Sequence, residues 1–101
     1  MKALLIDAEK QSIEPIEIGG REDLPGLIGY ETVEADTIGP EGDTLFFDEE
    51  CFLRGTAGRF QIDSIIPVSG RGVVVGSSDG GTTLQDVVSD VDSLSARLKY
   101  L

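Results

Sequence analysis

Between Gly72 and Gly76 the chain reads Val73-Val74-Val75, and no other stretch restricts the fold so tightly. Consecutive β-branched side chains are stiff at χ1 and fit a pleated strand better than a helix. With no polar residue to turn toward water, such a run predicts a strand covered on both faces. It therefore needs paired neighbours at its edges and packed layers above and below. The turn that follows, Gly76-Ser77-Ser78-Asp79-Gly80-Gly81-Thr82-Thr83, is rich in glycines and hydroxyls.

Beyond that turn the apolar period changes. Leu84, Val87, Val88, Val91, Leu94, Leu98 and Leu101 fall on one helical stripe, with Gln85, Asp86, Ser89, Asp90, Ser93 and Arg97 facing away. Thr83 with Asp86 resembles a capping box in which Asp replaces Glu or Gln. Asp86, Asp90 and Asp92 come early and Arg97 and Lys99 late, which suits a helix dipole. The pattern predicts one long C-terminal amphipathic helix, held by packing because valine is a poor helix former. The same positions fit two heptad seams, Leu84, Val91, Leu98 and Val87, Leu94, Leu101, so the expected state is a monomer or a homodimer through this helix.

Upstream, the chain alternates between short apolar runs and turn residues. Strands are expected over 2–7 and 12–18, joined by a polar turn into a hairpin, with Pro15 placing the second strand at an edge. Leu24, Leu27 and Ile28 have the spacing of a single helical turn, ended by Gly29. Residues 30–38 alternate as a strand with one wet side, and 44–48 return as a more apolar strand across the turn Gly39-Pro40-Glu41-Gly42-Asp43. Asp48-Glu49-Glu50 reads as a turn and Cys51-Phe52-Leu53 as a short buried segment. A further strand is expected at 60–63, continued by 64–68 with an interruption at Pro67. These elements define an α+β fold over 1–101: a five- to six-stranded, mostly antiparallel sheet of hairpins with one long helix packed on it.

The residues that are missing exclude much chemistry. The chain of 101 residues has no histidine and one cysteine, which removes Ser-His-Asp and Cys-His devices and the usual zinc sets. Cys51, beside Phe52 and Leu53, reads as a small buried hydrophobe. Ala3-Leu4-Leu5-Ile6 is stopped by Asp7, too short for a signal peptide or a membrane span, so a soluble cytoplasmic protein is expected. The formal net charge of -11 repels phosphate backbones and acidic membranes and attracts basic partners. No direct nucleic-acid or membrane partner is expected, and neither a cofactor nor a metal.

Three groups of residues invite a functional reading. The glycine-rich turn offers Gly76, Ser77, Ser78, Gly80, Gly81, Thr82 and Thr83 as a cradle for a nucleotide or small ligand, if a helix start follows it. It lacks the lysine and the G-x-G-x-x-G spacing of phosphate loops, and Asp79 would oppose an anion. The paired carboxylates Glu22-Asp23, Glu41 with Asp43, and Asp48-Glu49-Glu50 lack the D-x-D-x-D-G order of calcium loops. Glu31, Glu34, Asp36, Asp48, Glu49 and Glu50 form a candidate interaction face. Arg54, Arg59 and Arg71 either pair with the Asp48-Glu49-Glu50 turn or form a small patch for an acidic ligand group.

Three stretches, Leu27-Ile28-Gly29-Tyr30-Glu31, Asp48-Glu49-Glu50 and Gly72-Val73-Val74-Val75-Gly76, resemble a small family of domains of unknown function common in bacteriophages and other mobile elements. They are similar to its V-G-G-Y-I-E, N-E-E-G and I-x-G-x-x-V-V-G segments. The second glycine before the tyrosine is absent here, Asp48 replaces Asn, and no glycine follows Glu50. The resemblance implies a phage-like accessory context and no known activity. The functional expectation is a non-catalytic protein-protein interaction module. The alternatives are an acidic mimic of DNA acting on a host nucleic-acid-binding or defence protein, and a small-ligand binder at the glycine-rich turn.

Overall fold

A computed structural model describes residues 1–39, 42–55, 57–78 and 83–101. The chain runs β1 (Lys2–Asp7), β2 (Ser12–Glu17), a 3-10 turn (Arg21–Asp23) leading into α1 (Leu24–Ile28), β3 (Val33–Thr37) and β4 (Asp43–Asp48). A second 3-10 turn (Cys51–Leu53) precedes β5 (Arg59–Ile62), β6 (Val68–Ser69), β7 (Arg71–Ser78), β8 (Thr83–Gln85), α2 (Val91–Arg97) and β9 (Leu98–Tyr100). The fold is α+β and its strand pairs are antiparallel.

The valine run sits where its chemistry requires. β7 is the central strand of a sheet ordered β2-β1-β7-β4-β3, and β8 pairs with the far half of β7. Alternation then sends Val73 and Val75 to one face and Val74 to the other. On the first face they join Ala3 and Phe46 beneath Leu24 and Ile28 of α1. On the second, Val74 joins Leu4, Ile6 and Leu45 against Phe60, Ile62, Val68, Leu94 and Leu98. Those last residues come from α2 and from a small second sheet ordered β6-β5-β9. Each fully buried large apolar side chain contributes about 1.5–3 kcal/mol, so both layers matter to stability.

The first hairpin, the edge position of the Pro15 strand, the short helix ended by Gly29 (φ 98) and the second hairpin all lie where the sequence places them. The C-terminal expectation is corrected. There is no long helix: residues 83–101 divide into β8, the seven-residue α2 and β9. Backbone donors that a helix would need are captured by distant partners instead. The buried Asp43 carboxylate accepts from Val88 N-H (2.8 Å) and Ser89 N-H (2.9 Å), and Val87 N-H donates to Lys2 O. Asp86 accepts from Lys2 N-H rather than closing a capping box. The true N-cap is Asp90, whose carboxylate accepts from Ser93 N-H at 2.7 Å. The heptad seams disappear with the helix, and Leu94 is fully buried in the chain's own core.

Two smaller corrections follow from packing. The strand does not continue: the chain turns at Asp63, with φ 51, and from Val68 β6 folds back on β5. In the second 3-10 turn only Cys51 is buried, while Phe52 and Leu53 are 51% and 80% exposed.

Candidate functional site

At the glycine-rich turn, the structure supplies a strand where a phosphate cradle needs a helix. Gly76, Ser77 and Ser78 end β7, and they pair with Gln85, Leu84 and Thr83 of β8. Gly76 is needed for close approach, because a Cβ there would lie 2.3 Å from Asp86 O. The Ser77 hydroxyl is buried against the Thr44 hydroxyl. Gly80, Gly81 and Thr82, together with Asp79, lie outside the described residues.

The proposed acidic face is only partly brought together. β3 is the last strand of its sheet and its outer edge is free of a strand partner among the described residues. Glu49 N-H donates to Thr32 O and Ile38 N-H to Asp43 O. Antiparallel pairing alternates, so Glu34 and Asp36 direct their peptide groups at β4, whereas Val33, Ala35 and Thr37 direct theirs outward. The Val33 N-H bonds locally to Glu31 O. Glu31, Glu34 and Glu49 are exposed and Asp36 is half-buried, which leaves an acid-fringed edge with open backbone groups.

Asp48 and Glu50 belong to a different arrangement. Asp48 is only 3% exposed. Its carboxylate accepts from Arg54 Nε at 2.9 Å, from Glu50 N-H at 3.0 Å and from the Thr32 hydroxyl. Burial alone pushes an acid's pKa up, but these donors outweigh it and hold Asp48 below the ordinary carboxylate value. Arg54 is raised in turn, first by its hydrogen bond to Asp48. Its Nη2 reaches Thr32 Oγ1 and Glu50 Oε2, and the guanidinium lies 4.2 Å from the Tyr30 ring centroid. Arg54 thus pairs with the acidic turn, one of the two outcomes the sequence left open for its arginines.

Beside this cluster a cavity of about 270 Å³ opens at the end of the main sheet, lined in part by Lys10, Tyr30, Arg54 and Arg71. The end of α1 forms its wall through Ile28, the 3-10 turn contributes Cys51, and Ser69 and Gly70 complete the floor. The Cys51 thiol is engaged, accepting from Ser69 N-H at 3.4 Å. Among the described residues, no three carboxylate or thiol side chains converge as a metal site. No helix there is long and apolar enough to cross a membrane. The sequence showed Arg71 as one of few cations, but gave no sign that Tyr30 and Lys10 would share a cavity with it, since they come from separate turns.

These features define an antiparallel α+β protein with an open acidic sheet edge and a cleft lined by three cations, Lys10, Arg54 and Arg71, and three carboxylates, Asp7, Glu9 and Asp48. Comparison with protein families, with curated proteins and with solved structures finds no match to this chain.

Proposed function

We propose that the protein is a non-catalytic module that binds another protein, of basic surface, at the free edge of β3. The context is a bacterial or phage-infected cell, in keeping with the family its three short segments resemble. The observation that carries this reading is the edge itself. The outward peptide groups of Ala35 and Thr37, which have no backbone partner among the described residues, offer main-chain hydrogen bonds to an added strand. Glu31, Glu34, Asp36 and Glu49 would flank that strand and favour lysine and arginine on it. At the opposite end of the same five-strand path, β2 is blunted by Pro15; β3 has no proline. Mimicry of a nucleic-acid backbone draws less support, because Asp48 is buried and both it and Glu50 are spent on Arg54.

The test is affinity capture from a bacterial lysate at low and high salt, using the parent, Ala35→Pro and Glu34→Lys/Asp36→Lys. Proline at 35 removes an outward N-H and leaves the ladder to β4 intact. A partner held by the parent at low salt and lost by both variants supports the reading. Identical captured sets from all three folded proteins would sink it.

A further inference from the structure

The cleft beside α1 has no part in strand addition, and its charges are unusual for this chain. The sequence holds 19 acids against 8 lysines and arginines, so a cation should find a carboxylate easily. Four of the five arginines are engaged. Arg21 lies over the Phe46 ring and Arg59 over the Phe52 ring, Arg97 pairs with Asp63, and Arg54 is held by Asp48 and Glu50. The side chain of Arg71 is exposed and makes no hydrogen bond, ion pair or ring contact with the described residues.

The acids beside it do not pair with it. Asp7 is the cross-strand partner of Arg71, but it turns its Oδ1 to the N-H groups of Glu9 and Lys10 and forms no ion pair with Arg71 among the described residues. Asp48, also on the cavity lining, is spent on Arg54. The Nη1 group of Arg54 makes no hydrogen bond among the described residues, and Lys10 lines the same cavity. Guanidinium groups pair with planar or tetrahedral oxyanions through two parallel N-H bonds. Ile28, Tyr30 and Cys51 add an apolar wall, and the volume suits a ligand of few heavy atoms.

We propose that this cleft is a binding site for a small organic oxyanion, a carboxylate or phosphate ester with a compact apolar body, recognised by Arg71 with support from Lys10 and Arg54. The carboxylates of Asp7, Glu9 and Asp48 on the lining and the negative charge of the whole chain work against dianions, so a monoanion is the preferred form.

The experiment is a titration of the full chain followed by backbone amide NMR at constant ionic strength. Sodium benzoate and phenyl phosphate are the two probes, with sodium chloride as the blank. Saturable shifts clustered at Lys10, Tyr30, Gly70 and Arg71 are expected, and whichever probe binds tighter identifies the source of the oxyanion. Arg71→Gln should weaken binding at least about tenfold, with Arg71→Lys in between because it keeps charge and loses the fork. Ala35→Pro should leave the titration unchanged, which separates this site from the β3 edge. Linear, unsaturable shifts with both probes, or equal binding by parent and Arg71→Gln, would overturn the proposal.

Discussion

Replacing Asp48 by Asn tests whether a buried carboxylate organises the end of β4. Asparagine preserves the shape and one acceptor oxygen but removes the charge that Arg54 Nε, Glu50 N-H and the Thr32 hydroxyl address. The two bonds to Oδ1 become neutral at about 0.5 kcal/mol each, the one from Arg54 Nε is lost to the amide NH2 at about 2, roughly 3 in all, and no longer burying a charge returns about 1. The net loss is therefore about 2 kcal/mol, or roughly 8–16 °C in Tm for a domain of this size. The pH dependence follows from the direction of the shift. Asp48 is held below its ordinary pKa in the folded state. Its contribution is then complete above the unfolded-state value of about 3.9 and is lost as pH falls through the lower folded value. Urea unfolding of both proteins should show the full gap at neutral pH and a closing gap below about pH 4. A gap that stays constant into strong acid, or a variant as stable as the parent at neutral pH, would refute the reasoning.

Asp43→Ala should release the 86–90 segment: amide exchange at Val88 and Ser89 should accelerate, with stability lower by about 2 kcal/mol. Unchanged protection at those two amides would show that the carboxylate does not hold them. Gly76→Ala forces a methyl group against Asp86 O and should cost about 1–3 kcal/mol in urea unfolding. Gly26→Ala, which meets nothing within 4 Å in α1, should instead stabilise by about 0.5–1 kcal/mol; the two must differ in sign.

What could be read from the sequence was local. Val73-Val74-Val75 needed cover on both faces and has it, Pro15 needed an edge, and Gly29 ended a helical turn. The C-terminal stripe misled because its helical spacing arises from three elements rather than one. Leu84 packs with the α1-side core, while Val87, Val91, Leu94 and Leu98 pack with the other core. What breaks the helix is Asp43, 45 residues before Val88, and a contact at that separation leaves no periodic trace. The second sheet was hidden for a similar reason: β6 and β9 are only two and three residues long, too short to show alternation. Arg54 was legible as a partner for the acidic turn because the two are close in sequence. The place of Arg71 beside Lys10 and Tyr30 was not, since the three come from separate stretches of the chain.

The acids on β3 also bear on why this edge stays open. An unpaired strand is a template for another copy of itself, and natural sheets guard such edges with charge or proline. Two β3 edges placed side by side would bring Glu34 and Asp36 against their counterparts, and like charges directly opposite are destabilising. The same carboxylates therefore reject self-pairing and favour a basic strand, a discrimination set as much by repulsion as by attraction. Removing the guard should expose the template. Glu34→Thr/Asp36→Thr keeps β propensity, lowers the repulsion and should shift the protein toward larger species than the parent in sedimentation velocity. Adding Ala35→Pro should reverse that shift by removing an outward donor. If the double variant sediments as the parent does, charge is not what keeps β3 edges apart, and the acidic fringe loses its claim to choose the partner.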